Sequence, residues 1–97
     1  MTSLEALQNQ LQAEIAPQDW QTLKTHAQRD ALIVVEPNLD LIAVGVAIAA
    51  DQVSQVQTWI DEALLHKPYS QELSQWNQQP QQTFRTLIVQ PFVLIQA

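Results

Sequence analysis

The sequence predicts an α+β domain, in which a hairpin over residues 31–49 and a C-terminal strand over 84–96 form a small, mainly antiparallel sheet covered by about four helices. Three observations carry this expectation. Ala31-Leu32-Ile33-Val34-Val35-Glu36 is a short apolar run rich in β-branched residues that stops at Pro37-Asn38, the pattern of a buried strand. The segment from Thr83 to Ala97 carries Leu87, Ile88, Val89, Phe92, Val93, Leu94 and Ile95 around Pro91. Elsewhere apolar residues recur at spacings of three and four, as on one stripe of a helix. A chain of 97 residues makes one domain, 1–97, and at its mass can bury about 65% of its unfolded surface, enough for a core without staples.

Thr2-Ser3-Leu4-Glu5 fits a capping box, and Leu4, Leu7, Leu11 and Ile15 set the inner stripe of a first helix running to about Ala16. Pro17 suits the first turn of a second helix, because its missing N–H has no intrahelical partner there in any case. Trp20, Leu23 and Ala27 are the inner stripe of that helix, which ends near Gln28.

From Ile42 to Ala49 the even positions are Ile42, Val44, Val46 and Ile48, and the odd ones are Ala43, Gly45, Ala47 and Ala49. A period of two in side-chain size suits a strand covered on both faces. The helical alternative sets four β-branched residues and a glycine in two and a half turns, against propensity, so the strand is preferred. Pro37-Asn38-Leu39-Asp40 is then the hairpin loop.

Asp51 starts a third helix as its cap, with Val53, Val56, Ile60, Ala63 and Leu64 as the stripe, Trp59 alongside, and His66 and Lys67 at the end before Pro68. Ser70 caps a short fourth helix with Leu73 and Trp76 turned inward, and Asn77-Gln78-Gln79-Pro80-Gln81-Gln82 is a loop. Because proline cannot donate to a ladder, the C-terminal region is either one strand bent at Pro91 or two consecutive strands. The helices are expected to cover one face of the sheet.

Composition narrows the chemistry. The protein has no cysteine, which removes thiolate nucleophiles, disulfides and cysteine metal sites. Its net charge is −6, with only Lys24, Arg29, Lys67 and Arg85 as scattered cations, so neither nucleic acid nor an anionic membrane is an expected partner. The longest apolar run, Leu41 to Ala50, is about half of what a bilayer span needs, and the N-terminus shows no basic, then apolar, leader; a cytoplasmic address is expected. Seventeen glutamines replace much of the usual surface charge. The single glycine means that turns must use Pro, Asn, Asp and Ser instead.

Leu39-Asp40-Leu41-Ile42 with the alternating residues after it, then Ala50-Asp51, Val56 and Trp59, and finally Leu87-Ile88-Val89-Gln90-Pro91-Phe92-Val93-Leu94-Ile95-Gln96, resemble a family of small bacterial proteins, domain of unknown function 2288. The likeness runs from about Trp20 to the end. It implies a bacterial, free-standing cytosolic protein, and it brings no activity, cofactor or catalytic residue.

His26 and His66 lack partners in metal or catalytic register, and no His-x-x-x-His or Glu-x-x-His pattern exists. Neither a cofactor nor a metal is expected, and no catalytic constellation is recognisable. Glu36 and Asp40, flanking the hairpin loop, are the carboxylates best placed for a ligand, against the plainer reading as turn and cap residues. Of the three tryptophans, Trp76 is the one expected to be least covered by core. An apolar C-terminal strand that presents an edge calls for a second subunit, so a homodimer is expected. The leading expectation is a non-catalytic protein-interaction module working through an apolar sheet edge or face; the alternative is a small-ligand-binding protein or enzyme using Glu36 and Asp40.

Overall fold

The β-branched run does form a strand, and it organises the rest. In the computed structural model, which describes residues 2–97 with side chains from Glu5 onward, the chain order is α1 (Thr2–Glu14), β1 (Ala16–Asp19), α2 (Trp20–Gln28), β2 (Leu32–Val35), α3 (Leu41–Ala49), α4 (Val53–Asp61), β3 (Leu65–His66), α5 (Ser70–Asn77), β4 (Thr83–Val89) and β5 (Phe92–Gln96). The predicted Thr2–Glu5 capping box lies outside the described side chains. The sheet order is β1-β4-β5-β2-β3, with β2 parallel to β5 and every other pairing antiparallel. The class is α+β, as expected, with five helices among the described residues.

The second half of the predicted hairpin is a helix. Residues 41–49 form α3, begun by Asp40, whose carboxylate accepts the Ile42 N–H at 3.0 Å. Leu41, Val44, Gly45, Val46 and Ala47 are all buried, so α3 is enclosed on nearly all sides. A helix that is apolar all round has no polar face, and therefore no 3.6-residue stripe to read. Its small residues serve close approach: a Cβ on Gly45 would lie 2.7 Å from Leu87 Cδ2 and 3.2 Å from Leu11 Cδ1. Burial on this scale outweighs the propensity cost that argued for a strand.

Helices also cover both faces of the sheet, not one. Residues alternate across each strand, and on β5 Leu94 points to one core while Val93 and Ile95 point to the other. The first core joins Leu94, Leu87, Val89 and Val35 to Leu11 of α1 and to Leu41, Val44 and Val46 of α3. The second packs Trp20 and Leu23 of α2 and Trp76 of α5 on Phe84, Val93, Ile95, Leu32 and Val34. Trp76 packs between Trp20, tilted at 54° to it, and Phe84, edge-on at 72°, with both ring centroids at 5.0 Å.

Several boundaries move for local reasons. Pro17 sits in β1, an edge strand where a missing N–H costs no ladder bond, and Asp19 caps α2 instead, its carboxylate accepting the Thr22 N–H at 2.9 Å. The Trp20 and Gln21 N–H groups, which have no intrahelical partner at the start of α2, donate to the carbonyls of Gln82 and Pro80, so the glutamine loop closes that end. The third predicted helix stops at Asp61 and the chain reverses into β3. Before α5 the cap position is Tyr69 rather than Ser70, its N–H donating to Glu72 Oε1 at 2.9 Å. The C-terminal region is two strands joined at a cis Gln90–Pro91 bond, and β5 is central, between β4 and β2.

Candidate functional site

Helix α4 is the element whose apolar residues are least used by the fold. Its sequence segregates Val53, Val56, Trp59 and Ile60 from Ser54, Gln55, Gln57, Thr58 and Asp61, yet none of its residues is buried. Val56 and Trp59 pack on the first core, but Val53 is 66% and Ile60 49% exposed. Between this stripe and the sheet lies a groove of about 440 Å³, walled by Ile33 of β2, Phe92 of β5, Ala47 and Ile48 of α3 and Leu65 of β3. Polar groups appear at its margin, from Asp51, Gln52, Gln57, His66 and Lys67. The volume falls in the range of ligand pockets, about 300–1,000 Å³.

The β2–β3 ladder at the sheet edge beside the groove stops after two residue pairs. Val34 and Val35 pair with His66 and Leu65, and the same register would set Leu32 opposite Pro68, which has no N–H to donate. The opposite edge is β1, four residues long and containing Pro17. Both edges are thus short and carry or meet proline, devices that discourage strand addition.

On the other face of the sheet, a cleft of about 360 Å³ lies between the end of β2 and α5, with Glu36, Glu72, Gln75 and Gln82 around a floor that includes Trp76 and Phe84. Beside it, His66 is held from several sides. Its Nδ1 donates to the Lys67 carbonyl at 2.9 Å, its Nε2 lies 3.4 Å from Glu36 Oε2, Glu72 Oε1 is 3.7 Å from Nδ1, and its ring stacks on Tyr69 at 4.1 Å. Among the described residues no group of three or more His, Cys, Asp or Glu is placed to hold a metal ion.

The three residues singled out from the sequence are dispersed by function. Glu36 faces His66, Asp40 is occupied as the α3 cap, and Trp76, 6% exposed, belongs to the second core with only its margin lining the cleft. Glu36 and Trp76 therefore share a cleft, while the Asp40 carboxylate serves its helix. The sequence pointed to neither the groove nor the surroundings of His66. Two-residue β3 carries no periodic signal, and the grouping of Ile33, Ile60 and Phe92 depends on long-range pairing.

Among the described residues no helix is long and apolar enough to cross a membrane. Comparison with curated proteins finds no match. Among solved structures, the solution NMR structure of PA1075 from Pseudomonas aeruginosa is similar, with a TM-score of 0.78 and 29% identity over 99% of this chain and 85% of that one. The matched family model, Protein of unknown function (DUF2288), spans residues 6–97, nearly the whole chain, and the protein belongs to that family.

Proposed function

We propose that this domain is a non-catalytic protein-interaction module that receives an apolar segment of a partner protein in the groove beneath α4. The observation that supports it most is the exposed stripe of α4 facing a ready-made apolar concavity. With Val53 66%, Ile60 49% and Phe92 36% exposed, covering them recovers roughly half of the 1.5–3 kcal/mol that taking such a side chain fully out of water is worth, a gain the isolated fold leaves unused. Self-association by strand pairing has lost its support, since β5 is central and the two edges are short. A homodimer would have to use the groove instead.

The test is Ile60→Asp. Ile60 is half exposed, so the variant should melt close to the parent, yet it should release a partner that co-purifies with the parent from its native host. A partner retained equally by Ile60→Asp and Val53→Asp would overturn the proposal. Light scattering on the same proteins reads the homodimer: a dimer dissolved by Ile60→Asp makes the second copy the partner.

A small-ligand site using carboxylates is the second reading, favoured by the cleft that joins Glu36 to Glu72 and Trp76. Replacing Glu36 and Glu72 with Gln should abolish any ligand-induced melting shift, and an unchanged shift would remove this reading.

A further inference from the structure

We infer that the segment received by the groove is a basic amphipathic helix, with apolar anchors flanked by Lys or Arg. This rests on the groove being the working surface and adds the charge and form of its occupant. From Asp30 to His66 the sequence contains six carboxylates and no Lys or Arg, a charge equal to the −6 of the whole protein. Three of the six lie on or beside α4: Asp51 lines the groove, Asp61 ends the helix and accepts from Gln57 at 2.9 Å, and Glu62 is its C-cap. Lys67 also lines the groove and pairs with Asp30 at 2.6 Å, so those two charges offset each other and five carboxylates of the stretch remain, the three at α4 among them. A second copy docked through the same face would set its own Asp51, Asp61 and Glu62 against these carboxylates, whereas cations flanking an apolar anchor meet a complementary potential.

Form follows from the same neighbourhood. An extended segment would need an edge strand to pair with, and β3 offers only Leu65 and His66 before Lys67 and Pro68 follow. Side chains, not backbone, must make the contact, as when a helix lays anchors at i, i+3 and i+4 into a groove. Thirteen residues line the groove, against about 20–30 on each side of a standard interface between folded proteins. That footprint suits one helix.

The test titrates two model peptides into the full chain by NMR: an amphipathic Leu/Lys helix, and its twin with Glu at every Lys. The expected result is that the Lys peptide shifts the amides of Ile33, Val53, Ile60 and Phe92, binds at least about tenfold tighter than its twin, and weakens several-fold as salt rises from about 0.05 to about 0.5 M. Asp51→Asn with Asp61→Asn should reduce that salt dependence, and Ile60→Asp should abolish the shifts. Equal binding of the Glu twin in the groove overturns the charge inference and leaves the groove as an interaction surface. A dimer dissolved by Ile60→Asp, with no response to either peptide, does the same. A groove silent to both peptides in a monomeric protein whose co-purifying partner survives Ile60→Asp overturns both proposals.

Discussion

Gln96 and Arg85 are register partners across the β4–β5 ladder, and the Gln96 Oε1 accepts from the Arg85 guanidinium at 2.9 Å. The amide nitrogen of the same glutamine donates to the carbonyls of Glu36 and Leu39. One side chain, 2% exposed, thereby ties the last strand to the loop that delivers the chain from β2 into α3. Gln96→Leu removes the donor, so the half-buried Leu39 carbonyl loses its partner while the Glu36 carbonyl keeps the Leu39 N–H, at about 1–2 kcal/mol. The expected result is a melting temperature lower by roughly 5–15 °C. A shift of a degree or two in a thermal melt would show that water replaces the amide.

Asp19 supplies a pH-dependent contribution. The Thr22 hydroxyl, and next the Thr22 backbone N–H, hold its carboxyl below the ordinary value of 3.8. A carboxylate whose folded value is depressed adds stability above its unfolded value, and that stability is lost as pH falls through the folded one. Asp19 therefore contributes in full well above 3.8 and progressively less below it. Asp19→Asn keeps a capping side chain but cannot titrate. Acid titration by circular dichroism should find the difference between parent and variant constant near neutrality and shrinking below about pH 4; a difference that persists unchanged at pH 2 would assign it to cap geometry alone.

The strands were legible where one short run of residues decided the outcome. Leu32–Val35 read as a buried strand because β-branched residues ended at Pro37, whereas Pro91 marked an interruption without deciding between one bent strand and the two that form, β4 and β5. Residues 41–49 misled because the cue for a helix is contrast between faces, and a helix wedged between α1, α4 and the sheet has none. Trp76 misled in the opposite way. Its short helix and glutamine neighbours suggested little cover, but the cover comes from Trp20 and Phe84, distant in sequence. The Trp20 indole N–H, donating to Asn77 Oδ1 at 2.8 Å, ties α2 to the end of α5, a link no local pattern reveals. The groove was illegible for the same reason, since its walls come from β2, α3, α4, β3 and β5.

Gly45 tests the packing of α3 directly. Alanine would gain about 1 kcal/mol of helix propensity, but its Cβ would press 2.7 Å from the terminal carbon of Leu87, itself fully buried. Overpacking of this kind costs about 1–3 kcal/mol. Gly45→Ala should therefore be neutral to mildly destabilising, and Gly45→Val should cost about 3 kcal/mol or more. Leu87→Val retracts the opposing carbon, so the double variant with Gly45→Ala should be more stable than the two single effects predict, by about 0.5–1 kcal/mol. Strict additivity in chemical denaturation would place the contact elsewhere.

Three helices end alike without glycine. Asp30, Asp51 and Ala63 all have positive φ, at 62°, 58° and 60°. In each case the residue's N–H and the next one reach back to helix carbonyls: Asp30 to Ala27 and Ala31 to His26, Asp51 to Ile48 and Gln52 to Ala47, Ala63 to Ile60 and Leu64 to Trp59. This is the paired bonding of a Schellman turn, whose left-handed position glycine usually fills. Aspartate tolerates that conformation through its short polar side chain, but alanine has no such compensation and bears about 1–2 kcal/mol of steric cost. Glycine would remove the clash and return part of the gain as unfolded-state entropy. Ala63→Gly should therefore stabilise the fold by about 0.5–1 kcal/mol and raise the melting temperature by roughly 2–8 °C. Asp30→Gly, starting from a tolerant residue, should give less. A melting temperature that falls with Ala63→Gly would mean that the alanine methyl makes contacts worth more than the strain it bears.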